Sequence, residues 1–389
     1  MNPEKYIVQK HPIWEVWKTA ARLGLVSFGG PVAHLGYFRE EYVKRKQWMD
    51  EKTYADLVAL CQLLPGPASS QVGIGIGFLQ AGMLGAIAAW IGFTLPSALI
   101  LLLFAYFSKG IAIDWLHGLL VVAVAVVAHA VWGMARAFAF DRSRATIAVA
   151  AAILSFLFPN AGGQVVIIIV AGMLGSLLYR SHSPTAVSSI SISSGKKVSF
   201  LLIFFILLGL LPLVAQLTSS PLVALFDSFY RAGALVFGGG HVVLPLLQAQ
   251  VVTKGWVTNE QFLTGYGMAQ AVPGPLFTFA TYLGMVSFGW KGAIVATIAI
   301  FLPSFLLVIG TLPFWEWIRQ HARFQAAFHG IHAAVVGILL AALYHPVWTK
   351  AIQTPADFCL ALAAFCLLAI WKCPPLLVVI VSAIIGAFI

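Results

Sequence analysis

The sequence predicts an all-α polytopic membrane protein, and its composition and the continuity of its apolar runs support this fold class. Of the 389 residues, 60% are hydrophobic and 9% are charged, and the mean hydropathy is +0.93. A soluble domain carries about 25% charged residues, so a water-exposed surface around one core is excluded. The apolar runs are continuous rather than alternating, which excludes an outer-membrane β-barrel.

Thirteen hydrophobic segments follow one another, which agrees with roughly a dozen crossings at about 30 residues for each helix and its loop. They span residues 13–36, 54–78, 82–107, 113–135, 145–159, 163–179, 198–217, 222–247, 262–287, 290–315, 325–345, 356–371 and 374–389. A serine-rich stretch at 181–197 ends in paired lysines and predicts a flexible loop between two halves. We therefore expect one domain at 1–180, a loop with a connecting segment at 181–217, and a second domain at 218–389.

The two halves repeat each other in sequence. The motif RLGLVSFGG returns as RAGALVFGG, QLLPGP returns as QAVPGP, and LPS occurs in both halves. The matching ranges are 22–30 with 231–239, 62–67 with 270–275, and 95–97 with 302–304. Because the order of the motifs is kept and the offset drifts only from 209 to 207, the sequence predicts an internal duplication.

The number of segments between the copies predicts their relative orientation. Seven segments separate the start of the first copy from the start of the second, and an odd number of crossings inverts the second copy. The prediction is two six-segment repeats in inverted orientation, joined by the extra segment 198–217. If 13–36 and 222–247 were both re-entrant, this parity would change and the repeats would be parallel.

Basic residues predict which end of the chain is cytoplasmic. Thirteen Lys and Arg residues fall on the side of the N-terminus and eight on the other side, which favours a cytoplasmic N-terminus. The first loop disagrees, because it puts five basic residues on the wrong side. These are Arg39, Lys44, Arg45, Lys46 and Lys52. Since the basic residues lie in short polar gaps, they indicate a lipid bilayer as partner and not nucleic acid.

The uncharged parts of both repeats indicate an anion as ligand. Residues 57–108 and 261–290 contain no charged side chain but hold several hydroxyl and amide groups. A cation or metal site needs carboxylate, Cys or His ligands, and no such cluster appears in the sequence. No GxxxxGK[ST] loop, Ser–His–Asp arrangement or HExxH motif is present, so we expect no enzyme activity and no cofactor.

The two Pro-Gly-Pro motifs are the main candidate binding residues. Two prolines without N–H groups around a glycine must break a continuous helix. The helix that starts after the break has free N–H groups at the positive end of its dipole, which suits an oxyanion. The alternative is a proline kink that serves packing alone. The candidates are Pro65, Gly66, Pro67, Pro273, Gly274 and Pro275, with Gln62, Gln270, Ser69, Ser70 and Thr278 beside them.

A second set of candidates surrounds the paired FGG motifs. Glycines there either unwind the backbone around a ligand or allow close helix packing. The residues are Phe28, Gly29, Gly30, Phe237, Gly238 and Gly239. Arg22 and Arg231 precede these motifs and either attract an anion or extend to the membrane interface. His34 and His241 follow them and are candidates for proton coupling, with packing as the alternative.

Together, the duplicated FGG runs, the QLLPGP and QAVPGP segments and the paired LPS motifs resemble the chromate ion transporter family, in its long two-domain form. The resemblance covers about residues 12–389. It implies a bacterial inner-membrane protein that exports chromate, confers chromate resistance and uses the proton-motive force. One departure is Gly240, which stands where the first half has Pro31.

The function hypothesis is therefore a secondary transporter of a tetrahedral oxyanion, with chromate efflux as the leading interpretation. Chromate and sulfate share charge and shape, so a sulfate or other oxyanion permease of the same fold remains the nearest alternative. An intramembrane enzyme acting on lipid phosphate and a passive anion channel are the alternatives from other classes. No oligomeric state follows from the sequence.

Overall fold

A computed structural model describes residues 10–107, 115–159, 161–179, 198–237 and 242–386. Over these residues the fold is helical and contains no strand, as the sequence predicts. Five stretches are long and apolar enough to span a membrane. These are 68–107, 117–138, 198–218, 276–314 and 322–351.

The first repeat and the connecting segment contain helices α1 to α8. Their bounds are α1 Ile13–Val26, α2 Gly30–Phe38, α3 Glu51–Leu63, α4 Ala68–Phe107, α5 Trp115–Phe138, α6 Arg142–Leu157, α7 Ala161–Leu178 and α8 Val198–Thr218. A π-helical turn at Arg39–Arg45 continues α2. Little of α8 is covered by the rest of the protein, as expected for a helix that faces lipid.

The second repeat contains helices α9 to α17. Their bounds are α9 Pro221–Leu235, α10 Val243–Val251, α11 Asn259–Ala271, α12 Phe279–Thr311, α13 Trp315–Gln320, α14 Ala322–Ala342, α15 Thr349–Ala351, α16 Pro355–Ala369 and α17 Pro375–Gly386. A short 3₁₀ turn at Leu276–Thr278 precedes α12.

Helices α4 and α12 each reverse direction near their first third. In α4, Gly82 has φ 64° and ψ −151°, a conformation that only glycine adopts readily. Gly77 and Gly85 then lie in direct contact, although eight residues of straight helix would separate them by about 12 Å. In α12 the turn is at Gly289, and Thr281 and Thr297 are hydrogen bonded at 2.7 Å. Each is therefore two antiparallel arms rather than one long rod.

In the first repeat, α1 with α2 and α3 with the first arm of α4 form two re-entrant hairpins. Lys46 after α2 is paired with Glu15 at the start of α1, with 2.9 Å between Nζ and Oε1. Leu57 of α3 packs against Gly75, and each lies nine residues from Gly66. The Gln80 amide donates to the Trp48 carbonyl at 3.2 Å. Both hairpins therefore enter from and return to the same side.

The second repeat has the same pair of hairpins. Gly265 of α11 packs against Tyr282, on either side of the break at Gly274. The ring of Trp256, just before α11, lies 5.5 Å from that of Phe288 at the turn of α12. These contacts bring the start of α11 back to the level at which the first arm of α12 ends.

The count of thirteen crossing segments is not confirmed. The predicted segments 13–36, 54–78, 222–247 and 262–287 each contain a helix break and coincide with re-entrant hairpins or parts of them. An arm of 13 residues is only about 20 Å long, against about 30 Å for the hydrocarbon core. The second arms of α4 and α12 and the helices α5, α8 and α14 are long enough to cross.

The two repeats are inverted, and the direction of α12 demonstrates it. We call the side holding residues 10–15, 46–52 and 81–83 the N-terminal face. Leu312 and Trp315 belong to one buried cluster with Val16 and Trp48, so α12 ends at this face. The second arm of α4 starts there. Equivalent helices thus run in opposite directions, and the turn of α12 at 288–291 lies on what we call the opposite face.

The inverted orientation predicted from the number of segments is confirmed, although the count of crossings behind it was wrong. Segments 13–36 and 222–247 are re-entrant, which alone would have made the repeats parallel. Segments 54–78 and 262–287 are re-entrant as well, and the second change cancels the first.

The last two helices of each repeat pack on the other repeat. Helices α6 and α7 lie on α14, where Gly337 meets Ala148 and Gly330 meets Gly175 at close range. Helices α16 and α17 lie on α5, where Gly118 meets Gly386. This exchange holds the two repeats together around the hairpin tips.

Candidate functional site

The tips of the four hairpins meet at the centre of the molecule, and two hydrogen bonds join them across the repeats. The Gly66 N–H donates to the Val236 carbonyl at 2.6 Å, and the Gly274 N–H donates to the Ser27 carbonyl at 2.9 Å. Each Pro-Gly-Pro tip is therefore bonded to the FGG tip of the other repeat. These two glycine N–H groups are used within the protein and do not face a ligand.

Both tip glycines have backbone conformations that disfavour a side chain. The φ angle is +123° at Gly66 and +94° at Gly274. A Cβ atom on Gly274 would come within 2.9 Å of the Ser97 hydroxyl, and one on Gly66 within 2.9 Å of the Ser304 hydroxyl. The LPS serine of each repeat thus packs against the Pro-Gly-Pro tip of the other repeat.

New helices begin directly after both breaks, as the motifs predict. Helix α4 starts at Ala68, and its first turn holds Ser69, whose hydroxyl lies 3.3 Å from the His34 ring nitrogen Nδ1. Ser70 is buried, and its hydroxyl has no hydrogen-bond partner among the described residues. In the second repeat the Thr278 hydroxyl donates to the Pro275 carbonyl at 2.8 Å, so it caps its own turn.

A cavity of about 390 Å³ lies beside the tips. It is bounded by the FGG tip of the first repeat, the Pro-Gly-Pro tip of the second, the middle of α5 and the turn between α16 and α17. Lining residues include Gly29, Gly30, His34, Val126, His129, Gln270, Gly274, Leu368, Lys372, Cys373 and Pro375.

The polar groups around this cavity suit an anion. Lys372 contributes an ammonium group, and no Asp or Glu is among the lining residues. His34 and His129 contribute imidazoles, and Gln270 contributes a side-chain amide. Helix α2 begins at Gly30 on the cavity wall, after two glycines with φ of +94° and +80°. Free N–H groups and the positive end of a helix dipole stabilise oxyanions.

Several predicted residues do not reach this cavity. Arg22 lies on an exposed face of α1, and Gln62 on an exposed face of α3. Phe28 is half-buried at its tip, and Phe237 packs near Phe328, with 6.3 Å between ring centres. Pro65, Pro67, Pro273 and Pro275 shape the breaks rather than the cavity lining. Gly238, Gly239, Gly240 and His241 lie outside the described residues.

Arg231 is paired, which the sequence interpretation did not anticipate. Its guanidinium Nη2 lies 2.5 Å from the Oδ2 atom of Asp227, one helical turn earlier, and the Asp227 side chain is only 4% exposed. Because this carboxylate offsets the charge of the guanidinium, the Arg231–Asp227 pair attracts an anion less strongly than a lone arginine would. A pocket of about 60 Å³ separate from the central cavity adjoins Arg231.

Sequence reasoning missed three residues with chemical consequences. Asp227 had a readable signal, because Asp and Arg four residues apart share a helix face. Lys372 and His129 had none, since their neighbours at the cavity come from distant parts of the chain. Among the described residues no group of three or more His, Cys, Asp or Glu side chains comes together to hold a metal ion.

Comparisons with known proteins agree with the duplicated organisation. The family model described as "Chromate transporter" matches residues 14–176 and again residues 223–387. A chromate transport protein of Pseudomonas aeruginosa is 29% identical over 82% of this chain and 77% of its own length. A probable chromate transport protein of Synechococcus elongatus is 28% identical over 99% of this chain and 98% of its own.

An uncharacterised transporter of Methanocaldococcus jannaschii is also similar, at 29% identity over 84% of this chain and 82% of its own length. No solved structure matches.

The tip geometry predicts that Gly274→Ala destabilises the protein more than a glycine substitution elsewhere. Positive φ costs about 1–2 kcal/mol for a residue with a Cβ, and the contact with Ser97 adds about 1–3 kcal/mol of overpacking. Gly255→Ala is the matched control, because its φ is +68° and nothing lies within 4 Å of the added Cβ. Thermal unfolding of both variants in detergent measures the difference. Equal melting temperatures would contradict the close approach of the tip to Ser97.

The ion pair predicts unequal effects at the two repeat-related arginines. Arg231→Ala leaves the buried Asp227 carboxylate unpaired, and we expect a loss of about 3 kcal/mol in stability. Asp227→Asn in the same chain restores most of this loss, because the uncompensated charge is gone. Arg22→Ala is the matched control and changes stability little, since Arg22 is exposed. The measurement is the melting temperature of the three variants. A decrease for Arg22→Ala as large as that for Arg231→Ala would contradict this interpretation.

Proposed function

The chain belongs to the chromate transporter family, and from this premise we propose that it is a secondary transporter that exports chromate from the bacterial cytoplasm. Membership supports a role in chromate transport, and the apolar helices make the chain a multi-pass membrane protein. Export, resistance to chromate, location in the inner membrane and proton coupling are parts of the proposal.

One observation supports an oxyanion substrate above the others. The central cavity combines an ammonium group, two imidazoles, the Gln270 amide and a helix start, and no carboxylate is among the described residues that line it. A carboxylate there would repel a dianion and attract a cation. The donors are mostly neutral dipoles, which bind an anion without trapping it behind several ion pairs.

The re-entrant hairpins support a cytoplasmic N-terminal face. Arg39 and Lys46, paired with Glu51 and Glu15, lie on the same side as the start of α1. The loop that contradicted the positive-inside rule therefore agrees with it. Described basic residues at or near this face include Lys10, Arg39, Lys44, Arg45, Lys46, Lys52, Arg136, Arg142, Arg144 and Arg323. Among the described residues, Lys254, Lys291 and Lys350 lie at the opposite face.

The cavity adjoins the hairpin tips and the turn that joins α16 and α17, near the middle of α5. In the proposed export cycle it takes up chromate from the cytoplasmic face in one conformation. Export then needs a second conformation that opens the tips toward the opposite face.

We propose two kinds of role for the candidate residues, depending on whether they border the cavity. Gly29, Gly30, Gln270 and Gly274 border the cavity, together with His34 as a proton-coupling candidate. Ser69 is linked to the cavity through His34. For Gly66, Ser70 and Thr278 we propose a role in shaping the tips. The division into domains at 1–180, 181–217 and 218–389 is part of the proposal.

Uptake into everted membrane vesicles tests the function, because everted vesicles present the cytoplasmic face outward. We expect labelled chromate to accumulate only in vesicles that contain the protein, and an imposed pH gradient to change the rate. A sulfate arm identifies the alternative permease, in which sulfate accumulates and chromate competes only weakly. Vesicles with Gly274→Ala, normalised to folded protein, serve as the impaired control.

Two results would count against the proposal. Equal gradient-independent flux of both anions indicates a passive channel. The absence of any chromate flux in vesicles with folded protein excludes a chromate transporter.

A further inference from the structure

No described carboxylate pairs with the ammonium group of Lys372 at the central cavity. Lys372 sits in the turn between α16 and α17, and of the described residues that line the central cavity it is the only Lys, Arg, Asp or Glu. No ion pair joins it to a carboxylate in the described part of the chain. The nearest acid on its own hairpin, Asp357, lies fifteen residues earlier, about 22 Å along a helix, and is bound to His117.

The backbone holds Lys372 in a fixed and unusual conformation. Its φ is +53°, in the left-handed region where glycine or asparagine ordinarily ends a helix. The N–H groups of Trp371 and Cys373 on either side donate to the carbonyls of Cys366 and Leu367, at 3.2 and 2.9 Å. These hydrogen bonds cap the C-terminus of α16 and fix the backbone position of Lys372 at the cavity wall.

The equivalent hairpin of the first repeat has no such charge. Its turn, between α6 and α7, carries Phe158 and Pro159. That hairpin packs closely on α14 through Gly330 and Gly337, and the central cavity does not extend to it. The charge therefore belongs to one repeat only and is not a by-product of the duplication.

The other polar groups at the cavity are neutral dipoles or imidazoles, and the attraction of a neutral dipole for an anion is weaker and shorter in range than that of a full charge. The Coulomb attraction of the Lys372 ammonium for a divalent oxyanion is twice that for a monovalent one, so this lysine favours the dianion. We propose that Lys372 is the residue that selects divalent over monovalent tetrahedral oxyanions. This inference rests on the proposed function and adds to it the charge class of the substrate.

Competition in everted vesicles tests this role. Labelled chromate uptake is measured against increasing sulfate, a divalent competitor, and perchlorate, a monovalent competitor of the same shape. Lys372→Asn removes the charge with a side chain that tolerates the left-handed conformation. Lys372→Arg keeps the charge, and Lys372→Gly removes the charge while relaxing the turn. Lys291→Asn is the matched control, since Lys291 is an exposed lysine at the opposite face.

We expect the KM for chromate to rise at least tenfold in Lys372→Asn and Lys372→Gly alike. The preference for sulfate over perchlorate should fall at least tenfold in both, and Lys372→Arg and Lys291→Asn should keep it. Equal discrimination by the parent protein and the two neutral variants overturns the role of Lys372 and leaves chromate transport intact. The same loss in Lys372→Arg overturns it too, because the effect then comes from the shape of the turn. Absence of chromate uptake by the parent protein instead overturns the proposed function.

Discussion

The structure depends on one constraint: the backbone N–H and C=O groups at each helix break need hydrogen-bond partners inside the membrane. A Pro-Gly-Pro break leaves backbone groups that lipid cannot hydrogen bond, so they must find partners within the protein. Here the N–H groups of Gly66 and Gly274 bind the carbonyls of Val236 and Ser27 in the opposite repeat. Neither repeat supplies the acceptor for its own tip glycine. The inverted second copy provides these two acceptors, so the breaks and the duplication depend on each other.

The hydrogen bonds between the tips of the two repeats place the candidate site at the centre of the molecule. The two repeats nevertheless contribute different residues to it. The FGG tip of one repeat and the Pro-Gly-Pro tip of the other form one side of a single cavity, with His34 and Gln270 on its wall. Lys372 has no charged equivalent in the first repeat, and Arg231 is paired with Asp227 whereas Arg22 is exposed. The duplication therefore provides the scaffold, and later differences between the copies provide the charge.

The sequence predicted the helical class and the duplication, because composition and motif order are properties of the chain alone. It also predicted the inversion, although the count of crossings behind that prediction was correct only because two re-entrant segments in each repeat cancel. It could not predict the re-entrant hairpins. Residues 54–78 are as apolar and as long as a crossing helix, and only the contact of Leu57 with Gly75 reveals two antiparallel arms. The cavity was unpredictable for a similar reason: Lys372 lies almost a hundred residues from Gly274 in sequence, and nothing local marks it as a neighbour of the tips.

Side-specific labelling of single cysteines distinguishes re-entrant hairpins from helices that cross the membrane. In a variant without Cys359, Cys366 and Cys373, cysteine replaces in turn Lys52, Met83, Thr253 or Lys291, which are exposed. A membrane-impermeant maleimide is then added to oriented vesicles. If the hairpins are re-entrant, positions 52 and 83 react from one side of the membrane and positions 253 and 291 from the other. Reaction of positions 52 and 83 from opposite sides would contradict it, because α3 and the first arm of α4 would then cross the membrane as one helix.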